Sequence, residues 1–360
     1  MVNKYNQILQ DAVSWLKEAQ DRSGSDGIAG WYDFRKQQYS AAYPETTGYI
    51  IGTLLRYGQA YEDEEAISRA IRAAKWLIEI QDQEGWIPAG LIDAKQGPAV
   101  FNTGMVLQGL LDVYVYTGDS YFLSAACKAG DWLLHHQEEN GAWIETSAYT
   151  DRESLAYHVL IAWVLFRLTE IVDDPRYCKA AEKNVDWCLE LQRENGYFEK
   201  NHLGRFRYAL THTIGYVLQG LAESSVYYRK TDCLHAVEKV LVQIDTLTDE
   251  DGFLSGEIDS SWKPIRSWAC LTGNAQIAGV AMRMRVLGAR SFEHLAKRLN
   301  HFCCQVYGAY ASKRPAGLHG CHPVVEDGYM FSRVPNWAVK YLIDSLMLEL
   351  GGGKYDICHT

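Results

Sequence analysis

The sequence is short of the features that mark several classes of protein. Its nine cysteines (Cys127, Cys178, Cys188, Cys233, Cys270, Cys303, Cys304, Cys321 and Cys358) form no CxxC pair, are odd in number and are irregularly spaced. That pattern argues against a disulfide framework and fits reduced thiols in a cytosol. Positive charge is in deficit: 35 Lys and Arg stand against 45 Asp and Glu, for a formal net charge of −10. A chain of that sign lacks the field that draws phosphate backbones, so nucleic acid is not an expected partner. The longest uncharged apolar stretch, Ser154 to Phe166, is too short to span a bilayer and reads as a buried helix. The first twenty residues carry charges throughout and hold no apolar h-region, so no signal peptide is expected and the location reads as cytoplasmic. No Pro- or Ser-rich linker interrupts the chain, and nothing in it reads as a strand-rich second domain. One domain over residues 1–360 is therefore expected.

What is present points to a globular protein. Apolar residues make up 48% and charged residues 22%, too apolar a balance for disorder. Eleven Trp and 23 Tyr supply aromatic faces that suit sugar rings and apolar ligands as well as core packing.

A repeat organises the chain. A glutamine-and-glycine turn ending in an aromatic residue recurs as Gln20 to Trp31, Gln81 to Trp86, Gln137 to Trp143 and Gln192 to Phe198, with a weaker copy from Thr248 to Phe253. The aromatic ends stand about 55 residues apart, and one further step reaches Gly308, a degenerate sixth copy. Before each turn lies an amphipathic helix; in the second, Ile67, Ala70, Ile71, Ala74, Leu77 and Ile78 share one face. A Trp recurs near its end, at Trp15, Trp76, Trp132 and Trp187. After each turn comes a helix apolar almost all round, such as Asn102 to Tyr116 or Leu155 to Phe166. Twelve helices that alternate in this way predict an all-α fold, an (α/α)6 barrel or toroid of six helical hairpins. The competing architecture, an open α-solenoid, usually lacks a second helix that is apolar on every face.

In such a ring the loops leading into the buried helices gather at one end, where helix N-termini present unpaired N–H groups and positive dipole ends. Those segments read YPETTGY (Tyr43 to Tyr49), FNTG (Phe101 to Gly104), DRESLAYH (Asp151 to His158), RYALTHTIGY (Arg207 to Tyr216), SWACLTGNAQ (Ser267 to Gln276) and EDGYMFSRVPNW (Glu326 to Trp337). The motifs GPAVFNTG, LTHTIGYVLQGLAE, SWACLTGNAQIAG and DGYMFSRVPNWAVKYLIDSLMLE resemble a group of bacterial proteins from extracellular- and capsular-polysaccharide gene clusters. Those proteins are loosely labelled prenyltransferase- or squalene-cyclase-like. The resemblance implies the six-hairpin fold and a setting in polysaccharide biosynthesis, without fixing a reaction.

Five chemistries remain open on the residues. Glycoside hydrolysis needs a protonated and an ionised carboxyl, and the loops offer Glu45, Asp151, Glu153, Glu257, Asp259, Glu326 and Asp327. Glu45 and Glu326 stand among aromatics and are the leading pair. A lyase or C5-epimerase acting on a uronic acid wants a His or Tyr base and a carboxylate neutraliser, which His212, Tyr216 and Arg333 provide. Tyr43, Asn102, Tyr157, His158, Arg207, Trp268, Asn274, Gln276, Tyr329, Asn336 and Trp337 are the expected substrate-binding residues. Terpenoid cyclisation would need an acid cluster such as DxDD, which does not occur; Asp249-Glu250-Asp251 and Asp173-Asp174 fall on turns. A zinc site would draw on Cys270, Cys321 and His322. A glycan-binding role without catalysis is the fifth. The expectation is an oligosaccharide- or polysaccharide-processing enzyme that uses no metal or cofactor and has no membrane span.

Overall fold

The structure, a computed structural model, describes residues 2–145, 152–312 and 315–351. The described residues contain twelve α-helices: α1 (Val2–Asp21), α2 (Pro44–Tyr61), α3 (Glu64–Ile80), α4 (Val100–Thr117), α5 (Ser120–His135), α6 (Val159–Val172), α7 (Pro175–Glu190), α8 (Thr211–Ser224), α9 (Lys230–Leu247), α10 (Leu271–Val286), α11 (Glu293–Ala309) and α12 (Asn336–Leu350). None is long and apolar enough to cross a membrane. Asp151 and Cys358 lie outside the described residues.

The helices behave as their sequences dictate. In α3, Asp63 caps the N-terminus by accepting from the Ala66 N–H at 3.0 Å, and Glu64 and Glu65 occupy the first turn. One face of α3 then buries Ala66, Ala70, Ala73, Ala74, Trp76 and Leu77. By contrast, α4 is buried without a break from Val100 to Val113, as a helix apolar on every side must be. Sharp reversals follow α2, α4 and α6, where Glu62, Gly118 and Asp173 adopt left-handed backbone.

Two compact units divide the chain. The first holds Lys17–Gly30 and Tyr39–Trp187; the second holds residues up to Leu16, Trp31–Gln38 and residues from Cys188 onward. In the first unit α2, α4 and α6 lie side by side, with α3 and α5 packed on them. The α2–α4 approach depends on glycine: a Cβ on Gly48 would sit 2.5 Å from the Met105 carbonyl oxygen, and one on Gly109 would sit 2.3 Å from that of Gly48. In the second unit α8, α10 and α12 lie side by side, covered by α9 and α11.

The repeated turn has a physical cause. Its glutamine amide donates both to the turn's own carbonyl and to a carbonyl on the next half-buried helix. Gln81 reaches Gly85 (3.0 Å) and Ala125 (3.1 Å), Gln137 reaches Gly141 (3.0 Å) and Ala180 (2.8 Å), and Gln192 reaches Gly196 (3.1 Å) and Ala236 (2.9 Å). Gln20 does the same through Asp26 and Arg69. Gly85 and Gly141 have positive φ, and a Cβ there would collide with backbone carbonyls of the next helix, at 2.2 Å from Lys128 and 2.4 Å from Lys183. The expected sixth copy at Gly308 is corrected by the structure. Gly308 lies within the last turn of α11, has no positive φ and meets only the Lys4 side chain near 4 Å.

Short antiparallel strand pairs precede several buried helices. Trp31–Asp33 pairs with Arg333–Pro335, Ala209–Leu210 with Glu257–Ile258, and Ala269–Cys270 with Cys321–His322.

Candidate active site

Each unit gathers polar and aromatic side chains at the starts of its buried helices. In the first unit the centre is Glu45, in the first turn of α2 directly after Pro44. The Tyr43 hydroxyl donates to Glu45 Oε2 at 2.9 Å. Glu45 keeps part of its surface accessible, but the protein packed around it excludes most of the water beyond. That desolvation pushes its carboxyl up to about 7; the Glu145 charge adds to the rise and the Tyr43 hydrogen bond opposes it. Glu45 therefore holds a proton near neutral pH while remaining reachable.

Glu145 is buried and fixed. Its Oε1 and Oε2 accept from the Val100 and Phe101 N–H groups at 3.3 and 2.9 Å, anchoring the start of α4. His158 Nε2 lies 3.8 Å from Glu145 Oε2, and burial lowers the His158 pKa to about 3, so its ring is neutral. Phe101 packs edge-on against Tyr157 (5.1 Å) and more nearly parallel to His158 (6.2 Å). Burial raises the Tyr157 hydroxyl, with added effect from the charges of Glu145, Glu45 and Glu153, and keeps it a hydrogen-bond donor. The cluster thus joins Tyr43, Glu45, Tyr157 and His158 with Phe101, from the FNTG segment, and with Glu145, which was missed in the sequence. Asn102 turns elsewhere, its amide donating to the Pro88 carbonyl at 2.8 Å.

In the second unit His212 and Tyr216 stand one turn apart on α8 with ring centroids 4.4 Å apart. The Gln276 amide from α10 lies 2.9 Å from His212 Nδ1. The orientation that satisfies both ends of this amide has its nitrogen donating to His212 Nδ1 and its oxygen accepting from Tyr341. The ring proton is then on Nε2, and burial lowers the His212 pKa to about 4. Tyr329 stands 5.7 Å from His212 and accepts from Trp337 Nε1 at 3.1 Å. Phe206 links Tyr329 to Trp268, which is fully buried. Tyr341 and Phe206 are the members that sequence reasoning missed.

The other expected residues take different places. Arg333 donates to Asp33 Oδ2 at 3.1 Å and lies over the Trp31 ring. Asn336 is buried at the first position of α12. Asn274 donates to the Gly252 carbonyl at 3.1 Å, a turn-fixing bond. Arg207 is exposed. Glu326 is exposed as well, within a tight turn closed by the Gly328 N–H to Val325 carbonyl bond, whereas Tyr329, the residue just past that turn, is buried.

The remaining loop carboxyls have structural partners or stand in solvent. Glu257 is buried, but Arg266 donates to it at 2.6 Å and the Tyr208 N–H at 3.0 Å. Asp259 accepts from the Ser261 and Lys263 N–H groups within its own turn. Asp327 pairs with Arg266 at the surface, and Glu153 is exposed. Asp249 to Asp251 form an exposed turn rather than an acid cluster in an apolar cavity. The zinc arrangement does not assemble either: Cys321 and His322 are successive strand residues and face opposite ways. Among the described residues no three His, Cys, Asp or Glu side chains are placed to hold a metal.

Solved structures share this architecture. A heparin-specific unsaturated glucuronyl hydrolase is 15% identical over 99% of this chain and 100% of its own, with a TM-score of 0.77. An unsaturated glucuronyl hydrolase from Bacillus sp. GL1, described as responsible for glycosaminoglycan degradation, is 17% identical over 95% of this chain and 96% of its own, again with a TM-score of 0.77. A polysaccharide lyase is 11% identical over 97% and 98%, with a TM-score of 0.69. The fold is accordingly the α/α toroid of carbohydrate-active proteins. No curated protein is a significant match to the sequence. The model of Glycosyl Hydrolase Family 88 matches residues 61–251, more than half of the chain, and the chain belongs to that family.

Proposed function

We propose that this chain is a hydrolase of uronic-acid-bearing oligosaccharides in which Glu45 is the proton donor. The observation that carries the reading is the contrast among the loop carboxyls: of those described, Glu45 alone combines accessibility with a pKa raised to about 7. A general acid needs a pKa near the working pH, so that it is protonated yet able to give the proton up. Glu45 would protonate the departing glycosidic oxygen. Burial keeps the proton on Glu45, and the charge of Glu145, both oxygens held by backbone N–H groups, adds to that effect. Tyr157 and Tyr43 offer hydroxyls to the sugar, and Phe101 an aromatic edge.

The uronic-acid preference draws its support from similar structures named as unsaturated glucuronyl hydrolases. The family match begins at residue 61, so the role of Glu45 is argued from its surroundings: its partial exposure, its Tyr43 hydrogen bond and the burial that raises its carboxyl. A setting in polysaccharide assembly is supported by the motif resemblance. The odd number and irregular spacing of the cysteines support a cytoplasmic location. The proposal keeps residues 1–360 as one functional domain.

A second reading, lyase or epimerase chemistry, is favoured by one observation. The Tyr216 ring centroid stands 4.4 Å from that of the neutral His212 ring, whose Nδ1 accepts from the Gln276 amide and whose Nε2–H is left as a proton donor, so the Tyr216 hydroxyl is the base of that reading.

Incubation with neutral, saturated-uronyl and unsaturated-uronyl oligosaccharides separates these readings. Hydrolysis is expected to free a new reducing end and, from an unsaturated terminus, to remove its ultraviolet absorbance. A gain of that absorbance from a saturated substrate would replace hydrolysis by elimination. Tight binding without any product would replace it by glycan recognition.

A further inference from the structure

We propose that Cys270 and Cys321 are a disulfide-forming pair that locks the start of α10 to the loop carrying Tyr329. The two residues face each other in the antiparallel pairing of Ala269–Cys270 with Cys321–His322. The Leu271 N–H donates to the Gly320 carbonyl at 3.2 Å, the bond that in this register flanks a non-hydrogen-bonded pair at 270 and 321. Cys270 and Cys321 therefore occupy the adjoining non-hydrogen-bonded position. There the Cα atoms of an antiparallel ladder come within about 4.5 Å and the side chains leave the same face. Disulfides span Cα separations of about 4.4–6.8 Å, so the backbone is already within bridging range. Cys321 Sγ rests against Gly328, where a Cβ would come within 2.3 Å of it, so bridging to Cys270 calls for a change of χ1 at Cys321.

Three features make a dithiol the chemistry of this place. Both thiols are free and buried. Strand alternation sends His322 to the other face, beside Phe302 and Tyr310, so no third metal ligand joins them. Burial pushes Cys270 up to about 12 and raises Cys321 as well, so both are protonated and slow to react while the ladder is closed. The ladder is only two residues long, and its opening gates the reaction.

The oxidant is a small-molecule disulfide of the glutathione type. The Cys321 thiolate attacks one of its sulfurs, forming a mixed disulfide and releasing one small thiolate. The Cys270 thiolate then attacks Cys321 Sγ and releases the second. Two protein thiols are oxidised to one disulfide, one small disulfide is reduced to two thiols, and the protons pass to the released thiols. The bond ties α10, which brings Gln276 to His212, to the segment that brings Tyr329 within 5.7 Å of the same ring.

The full chain is to be incubated with oxidised glutathione at graded urea concentrations below global unfolding, alkylated, and digested without reduction for mass spectrometry. The expected result is a loss of about 2 Da, the two thiol hydrogens, with one Cys270–Cys321 linked peptide pair and a raised Tm. Cys303→Ser is expected to leave the link in place, and Cys270→Ser to abolish it. The wild-type link is read directly, so the result does not depend on a variant folding. Absence of the link at urea concentrations where iodoacetamide labels Cys321, or linkage of Cys270 to Cys303 instead, overturns the proposal.

Discussion

Glu45→Gln is expected to lower turnover of a cleaved oligosaccharide by about 100- to 10,000-fold, with little change in KM. The substitution keeps the shape of the side chain, and the amide oxygen can still accept the Tyr43 hydroxyl, so the start of α2 stays as it is. What is lost is the proton. In the wild-type enzyme the donor must be protonated, so turnover falls as the pH rises through about 7. Tyr43→Phe gives the matching control. It removes a hydrogen bond that favours the ionised carboxyl, so the Glu45 pKa climbs and the alkaline fall in turnover moves to higher pH. A Glu45 that merely supported the fold would lower the Tm in both variants without moving the pH profile. Steady-state kinetics across pH, with thermal melts, separate the two cases.

Arg283→Met is expected to destabilise the protein by about 3–5 kcal/mol, the usual cost of stranding one partner of a buried ion pair. Arg283 on α10 donates from Nε to Glu223 Oε1 on α8 at 3.0 Å and from a terminal nitrogen to Oε2 at 3.2 Å. Both side chains are about 95% buried or more. Methionine fills much of the arginine volume but leaves the Glu223 charge in a dry helix interface. Against a total stability of about 5–15 kcal/mol this is a large fraction. Adding Glu223→Gln removes the stranded charge and is expected to restore much of the loss, as urea unfolding of both variants will read. Equal destabilisation by the single and the double variant would mean that packing, not charge, explains the effect.

The parts of the molecule that were legible in the sequence are those whose physics is local. A Gln-Gly turn announces itself because its glycine needs positive φ and its glutamine amide serves two carbonyls. Helix periodicity marked α3 as half-buried and α4 as wholly buried for the same reason. Gly308 misled because a glycine at the right interval carries no mark of its backbone conformation, and there it is helical. The site was harder. Glu45 stood out beside Tyr43, two residues away. Glu145 did not, because its work is to cap a helix about 45 residues earlier in the chain, at Val100 and Phe101. The buried pairs Arg167–Asp112 and Arg283–Glu223 were hidden likewise, each joining two buried helices that read as apolar. Glu326, among aromatics, looked equivalent to Glu45 as letters, and Glu257 was one more loop carboxyl beside them. Packing separates the three, exposing the first and pairing the second with Arg266.

The most direct measurement is the titration of Glu45 itself, followed by carbon-13 NMR of side-chain-labelled glutamate and assigned by the resonance missing in Glu45→Gln. A midpoint near 7 is the expected result. A midpoint in the ordinary glutamate range, near pH 4.3, would leave the group ionised at neutral pH and contradict its role as proton donor.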